Sequence, residues 1–305
     1  MAVEVQSKRV SKARMGEAIA GYTFLAPFLL VMAVFTAWPL LYALWLSFHS
    51  YDLFAPAKFV GLDNYAYLLT QGDFWISIRN TALYTAVVVG MQTGLAIALA
   101  MVMDQKIRGK TFFRVAFFLP SVTSSVAISL IFMFIFFKNG VLNQALAWLH
   151  VDKFLAWIGL TTPVDWLGDV KTALWAIMAQ NIWSTAGFFM IVFLAGLQDI
   201  PESLYEAARV DGASKWQQFR HITLPLLKPT TFFVVTMGLI GCFQVFDQVY
   251  VMTEGGPLKA TLTTAYLLYK EAFVNFNMGY ACAIAFVLAA IIFAVTMVQK
   301  RVMGE

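Results

Sequence analysis

Six runs of nearly unbroken apolar residues, near Ile19–Phe48, Thr81–Met103, Val115–Phe137, Thr172–Leu197, Thr230–Met252 and Asn277–Gln299, limit this chain to few folds. A hydrocarbon core about 30 Å thick takes about 20 helical residues to cross, and each run is long enough. No water reaches backbone groups there, so spanning segments are helices or strands of a closed barrel. The alternation that a barrel strand carries is absent. The predicted fold is therefore an all-α integral membrane protein with six transmembrane helices. Composition agrees, since 12% of the 305 residues are charged against about a quarter in soluble domains.

The first run is too long for a signal peptide and has no clear small-residue cleavage site, so it reads as a retained helix. Fourteen of the 21 Lys and Arg residues fall in segments on one side: Lys8, Arg9, Lys12, Arg14, Lys106, Arg108, Lys110, Arg114, Arg209, Lys215, Arg220, Lys228, Lys300 and Arg301. Positive-inside bias puts these segments, with both termini, in the cytoplasm. The net charge of +4 follows from that topology and calls for no nucleic-acid partner. The chain divides into an N-terminal part (1–75) with the first helix and first outer loop, a core of five spans (76–299) containing a cytoplasmic loop (198–229), and a short tail (300–305).

Smaller features read as packing. Trp148 and Trp157 in the outer loop suit helices lying at the membrane surface. Gly90 and Gly94 make a small-xxx-small pair that would admit a close helix neighbour. Pro27, Pro39 and Pro120 read as tolerable kinks. Cys242 and Cys282 both lie in predicted helices and read as small apolar packing residues rather than a disulfide or metal site. No catalytic constellation is present: Gly109-Lys110-Thr111 resembles the end of a phosphate-binding loop, but Asp104 stands where that pattern needs glycine. His49, His150 and His221 are scattered and form no metalloprotease or triad pattern.

The exception to the apolar chain is "IPESLYEAARVDGASKWQQFRHITLPLLKP", Ile200–Pro229, polar and charge-balanced. Asp199 and Pro201 suit the start of a short helix, Asp211-Gly212 its end, and Ser214 with Gln217 the capping box of a second. Trp216, Phe219 and Ile222 are spaced to share a face of the second helix, and Pro225 and Pro229 close the segment. A DNA-reading helix pair is excluded by balanced charge and by anchorage at both ends. A docking element for a cytoplasmic protein remains.

"EAARVDGASKWQQFRHITLPLLKP" resembles the signature loop of binding-protein-dependent ABC importer permeases, EAA, two residues, DGA, then I-x-L-P. "VGLDNYAYLL", "FWISIRNTALYT", "FFLP" and "FQVFDQVYVMTEGGPLKAT" extend the likeness to the larger permease of carbohydrate systems of the maltose or glycerol-phosphate kind. The resemblance implies a type I importer permease fold in a bacterial or archaeal plasma membrane. It also implies a second homologous permease, two ATPase subunits that bind ATP and Mg, and an extracytoplasmic solute-binding protein, with no cofactor, metal or catalysis in this chain. The loop would be the coupling element, with Glu206, Ala207, Ala208, Asp211, Gly212, Ala213, Phe219 and Pro225 its functional residues. Glu206 would face a basic group of the ATPase.

Polar residues inside a membrane are costly and tend to face cavities or other helices. On the fourth span Asn181, Thr185 and Phe188 share a face, and on the fifth Gln244 and Asp247 are three residues apart; amides and a carboxylate beside rings suit a sugar. The solute is read as a sugar or oligosaccharide, with glycerol-3-phosphate, a polyol or another small solute as the alternative. An ion-coupled secondary transporter is the distant alternative, and it would rest on Asp247, the one clear ionisable group in the spans.

Overall fold

Helices make up most of the computed structural model, which describes residues 2–105, 108–157 and 159–303, with side chains from residue 15 onward except those of 152 and 155. Lys106 and Ile158, and the side chains of Lys8, Arg9, Lys12 and Arg14, thus lie outside the described residues. In chain order the helices are α1 (Ala2–Met32), α2 (Trp38–Ser47), α3 (Asp63–Thr70), α4 (Gly72–Asp104), α5 (Lys110–Val122), α6 (Ser125–Phe136), α7 (Val141–Trp148) and α8 (Val151–Trp157). There follow α9 (Ala173–Gln198), α10 (Glu202–Val210), α11 (Lys215–Gln218), α12 (Leu224–Leu226), α13 (Lys228–Phe243), α14 (Asp247–Met252), α15 (Thr264–Tyr269) and α16 (Met278–Met303). A two-residue antiparallel ribbon pairs His49 with Phe59 and Ser50 with Lys58.

Four helical stretches are long and apolar enough to cross a membrane singly, and six crossings result if each of two bent pairs counts as one. The third run, expected as one helix over Val115–Phe137, is such a pair. α5 and α6 meet at 101° because the chain goes extended at Thr123 (φ −82, ψ 148) and Ser124. Pro120 was read as a kink, and the structure has a full break three residues beyond it. The fifth run also stops short of its expected end at Met252. α13 ends at Phe243 after 16 residues that rise about 24 Å, and α14 starts afresh at Asp247. Thr263 Oγ1 donates to the Val245 carbonyl at 3.0 Å, satisfying an acceptor that the break exposes. Gln244 and Asp247 therefore do not share one continuous helix.

Two prolines are absorbed by π-helical turns. One at Ala33–Ala37 precedes Pro39 and one at Phe219–Thr223 precedes Pro225. A proline ring crowds the carbonyl four residues back and offers it no N–H. Here those carbonyls, of Phe35 and His221, lie within the wider turns.

α4 and α9 pack along most of their lengths, with α5 and α13 against them. Their core is in two parts. The outer part holds Tyr84 and Val88 of α4, Ile177 of α9, Cys242 of α13, Val249 of α14 and Ile284 of α16. The inner part holds Ala96, Ala100 and Met103 of α4, Met190 and Phe193 of α9, and Val234 of α13. Between them, Gln92 and Thr93 of α4 and Gln180 and Ser184 of α9, all buried, form a polar layer near the middle of both helices. The loop after α14 is tied to α4: Asn80 Nδ2 donates to the carbonyls of Lys259 at 3.0 Å and Leu262 at 3.1 Å, and Lys259 pairs with Asp73.

Glycine sets the closest approach, but not at the expected pair. Gly90 and Gly94 face open space within this chain, whereas a Cβ on Gly187 of α9 would sit 1.7 Å from the Phe117 carbonyl oxygen of α5. Trp148 and Trp157 are 80% and 81% exposed on α7 and α8. From Met15 to Leu41 the first helix is exposed on every side; only near its outer end does it meet α16. α16 runs through Lys300 and Arg301 in its last turn, where cations favour the helix dipole.

Candidate functional site

The polar segment forms the expected helix pair. Asp199 ends α9 instead of capping α10, whose N-cap is Pro201 with no side-chain cap bond. The proline fixes an extended entry and leaves nothing for Asp199 to cap. At the other end of α10 the N–H of Ala213 returns to Ala208 O at 2.8 Å and that of Gly212 to Arg209 O at 3.2 Å, a Schellman closure around Gly212 at φ +77. Three residues on, Gln217 N–H donates to Ser214 Oγ at 3.3 Å and Ser214 N–H to Gln217 Oε1 at 2.7 Å, completing the capping box.

A C-terminal and an N-terminal cap placed back to back leave the turn little freedom. Glu206, Ala207, Asp211 and Gly212 are exposed, Ala208, Ala213 and Phe219 half-buried, and Pro225 exposed. Glu206 has no ion-pair partner among the described residues. Trp216 and Phe219 touch at a ring distance of 5.4 Å, but the π turn starting at Phe219 breaks the register that would have carried the same face to Ile222. The apolar surface of the pair is uncovered: Val210 is 88% and Trp216 66% exposed.

A cleft of about 1130 Å³, lined among others by Met101, Leu197, Tyr205 and Lys215, separates this pair from the inner ends of α4 and α9. Tyr205 Oη and Thr223 Oγ1, 2.8 Å apart, tie α10 to the turn that leads into α13. Spacing gave no signal for this tie, which joins residues 18 positions apart.

A second feature lies in the polar layer. A cavity of about 270 Å³ is lined by Thr123 and Ser125 at the α5–α6 break, by Gln180, Ser184, Thr185 and Phe188 of α9, and by Gln248 of α14. Thr185 and Phe188 are thus in its wall, with two α9 neighbours that the helical spacing did not single out. Asn181 is half-exposed beside it, while Gln244 and Asp247 are exposed and outside it, because the break before α14 turns Gln248 inward instead. Thr185 Oγ1 donates to Gln92 Oε1 at 2.8 Å. Gln180 Oε1, Ser125 Oγ and Gln92 Nε2 are buried without a partner among the described residues. Such groups cost about 1–3 kcal/mol each when left unpaired; Gln180 and Ser125 line the cavity, whereas the Gln92 amide nitrogen lies against Gly238 of α13.

The structure is thus a bundle of long apolar helices with a pocket among α5, α6, α9 and α14 and a capped helix pair at one end. Residues 92–303 match the family described as binding-protein-dependent transport system inner membrane component, and the chain belongs to that family. It is 37% identical over 284 residues, 92% of this chain and 89% of the relative, to a probable ABC transporter permease protein, YesP, of Bacillus subtilis. It is 34% identical over 297 residues, 96% of each, to the trehalose/maltose transport system permease protein MalF of Thermococcus litoralis. Its fold matches a chain of a bacterial ABC transporter involved in the import of alginate with a TM-score of 0.77 at 23% identity, over 97% of this chain and 98% of the other.

Proposed function

We propose that this chain is one of two permease subunits of an ATP-driven, binding-protein-dependent importer for a sugar or oligosaccharide, in a bacterial or archaeal plasma membrane. The observation that carries the reading is the rigid, doubly capped helix pair, which presents an apolar surface and an unpaired Glu206 to whatever lies beyond it. Two partner ATPases hold ATP and Mg, and each permease seats its coupling pair in one of them. Closure of the ATPases moves the pair, and the motion reaches α9 directly and α13 through the π turn at Phe219–Thr223. Six crossings with both termini cytoplasmic fit this arrangement, since the bent pairs then count as spans and the coupling loop lies inside. The second permease supplies the other half of the path, and it or lipid covers the bare first helix. An extracytoplasmic binding protein delivers the solute.

The sugar reading draws on the carbohydrate-system resemblance and on amide, hydroxyl and aromatic groups gathered in the mid-depth cavity, with glycerol-3-phosphate, a polyol or another small solute as the alternative. Uptake of labelled trehalose, maltose, lactose and glycerol-3-phosphate is measured in cells whose ATP and proton gradient are collapsed separately. Sugar uptake that follows ATP is expected. Uptake that follows the gradient would instead mark a secondary transporter.

The cavity makes a separate prediction. Gln180→Leu, Asn181→Ala and Phe188→Ala are expected to lower uptake by about tenfold, equivalent to about 1.4 kcal/mol, while most of the binding-protein stimulation of ATPase activity remains. Equal loss of both, with poor assembly, would assign these side chains to packing.

A further inference from the structure

Between α13 and α16, on the end of the bundle away from the coupling pair, five aromatic rings meet that the cavity does not use. Phe246 and Tyr250 are four residues apart on one face of the α14 segment, Tyr266 and Tyr269 belong to α15, and Phe273 to the π turn after it. Ring centroids lie 5.4 Å apart for Phe246 and Tyr250, 5.0 Å for Phe246 and Tyr269, 5.3 Å for Tyr250 and Tyr269, and 5.4 Å for Tyr269 and Phe273. A helix turns about 100° per residue, so Gln248 in the cavity wall is on the opposite side of α14 from Phe246 and Tyr250. The rings are a separate lining, not an edge of the cavity.

Burial is graded across the cluster. Tyr266 is 9% exposed and supports it from beneath, whereas Tyr250 is 43% and Phe273 58% exposed. Rings that only filled a core would be covered, and rings that only anchored a helix at the lipid interface need not stack on one another. The Tyr250 and Tyr269 planes meet at 73° and those of Tyr269 and Phe273 at 35°, so Tyr269 joins the two exposed rings, Tyr250 and Phe273, in a corner. Three of the five rings carry a hydroxyl, and the exposed Asp247 adjoins Phe246 at the start of the same helix. Burial first, then the Glu254 carboxylate and the phenols of Tyr250 and Tyr269, push the Tyr266 phenol up.

We propose that this corner, with Tyr250 and Phe273 as its exposed faces, is an outer stacking site for a carbohydrate ring, distinct from the mid-depth cavity. A sugar ring lays its C–H face on the negative face of an aromatic ring and turns its hydroxyls toward the phenols and Asp247. The assignment rests on the carbohydrate reading above and adds to it that the solute carries a ring.

The test uses the assembled complex with its own ATPases and binding protein, in proteoliposomes, with whichever labelled sugar of the panel above the wild type takes up. Tyr250→Leu with Phe273→Leu keeps apolar bulk and removes both π faces; Tyr250→Phe with Phe273→Tyr keeps them. The leucine pair is expected to lower uptake about tenfold, with the concentration of loaded binding protein that half-stimulates ATPase activity unchanged, and the aromatic pair to retain at least about half of wild-type uptake. Wild-type uptake by the leucine pair would overturn the stacking site and leave the sugar reading intact. A rise in the half-stimulating binding-protein concentration in parallel with lost uptake would overturn it in favour of a protein-docking surface. Uptake of glycerol-3-phosphate alone by the wild type would overturn both readings.

Discussion

Gly212→Pro is expected to leave the spanning helices inserted and to abolish coupled uptake. Gly212 sits at φ +77, and a proline ring holds φ near about −65°, so the turn between α10 and α11 cannot form as it is. The substitution also removes the N–H that bonds Arg209 O, half of the Schellman closure. Alanine is the graded control. A Cβ there meets nothing within 4 Å, so its cost is confined to the left-handed backbone, about 1–2 kcal/mol. Glu206→Lys tests the same surface through charge, because it alters no ion pair within the chain and reverses what a basic partner would meet. Retention of ATPase subunits on the purified permease pair is the readout, with losses of at least about tenfold expected for Gly212→Pro and Glu206→Lys and a smaller loss for Gly212→Ala. Full retention and full uptake by both Gly212→Pro and Glu206→Lys would remove the coupling assignment.

Gly187→Val should be as damaging for a different reason. The glycine hydrogen that a Cβ would replace points at the backbone of α5, with Phe117 O 1.7 Å and its carbonyl carbon 2.5 Å from the Cβ position. Backbone atoms cannot rotate away, so the two helices must part. A cost at or above the top of the about 1–3 kcal/mol range for overpacking is expected, seen as a melting midpoint lowered by roughly 5–10 °C in detergent. Gly187→Ala should fall part of the way, and Gly90→Ala and Gly94→Ala should not fall, since no neighbour in the chain stands near them and alanine suits a helix better than glycine. A wild-type midpoint for Gly187→Val would show that α5 and α9 are not held at this distance.

The contrast between these glycines marks what was legible in the sequence. Gly212 could be read because its evidence is local: an Asp-Gly after a short helix and Ser214 with Gln217 just beyond are signals written within a few residues. The apolar runs were equally legible, because hydrophobic length alone selects spanning helices. Gly187 was not, since what it touches lies 70 positions away, and the GMQTG spacing that did look like a contact face meets no other helix here. The breaks at Thr123–Ser124 and Gln244–Phe246 were hidden for the same reason. Each is a backbone turn inside an apolar run, and at the second a freed carbonyl is satisfied by a distant partner, Thr263. The cavity inherits this: the spacing found Thr185 and Phe188, whereas the inward position of Gln248 depends on a break that hydrophobic periodicity cannot reveal.

The division of the core into two apolar parts by a polar layer bears on how the chain is made. Translation delivers the first helix before any neighbour exists, and from Met15 to Leu41 that helix is apolar and exposed on every side, so lipid alone can house this stretch. α9 is the opposite case: the least apolar of the four long spans and the most covered by the rest of the chain. Gln180, Ser184 and Thr185 would face hydrocarbon if it entered alone, and the Gln92 amide that receives Thr185 is carried by α4, already synthesised some ninety residues earlier. Pairing with α4 as α9 enters the membrane would cover these polar groups, so the order of synthesis, α4 before α9, favours their assembly.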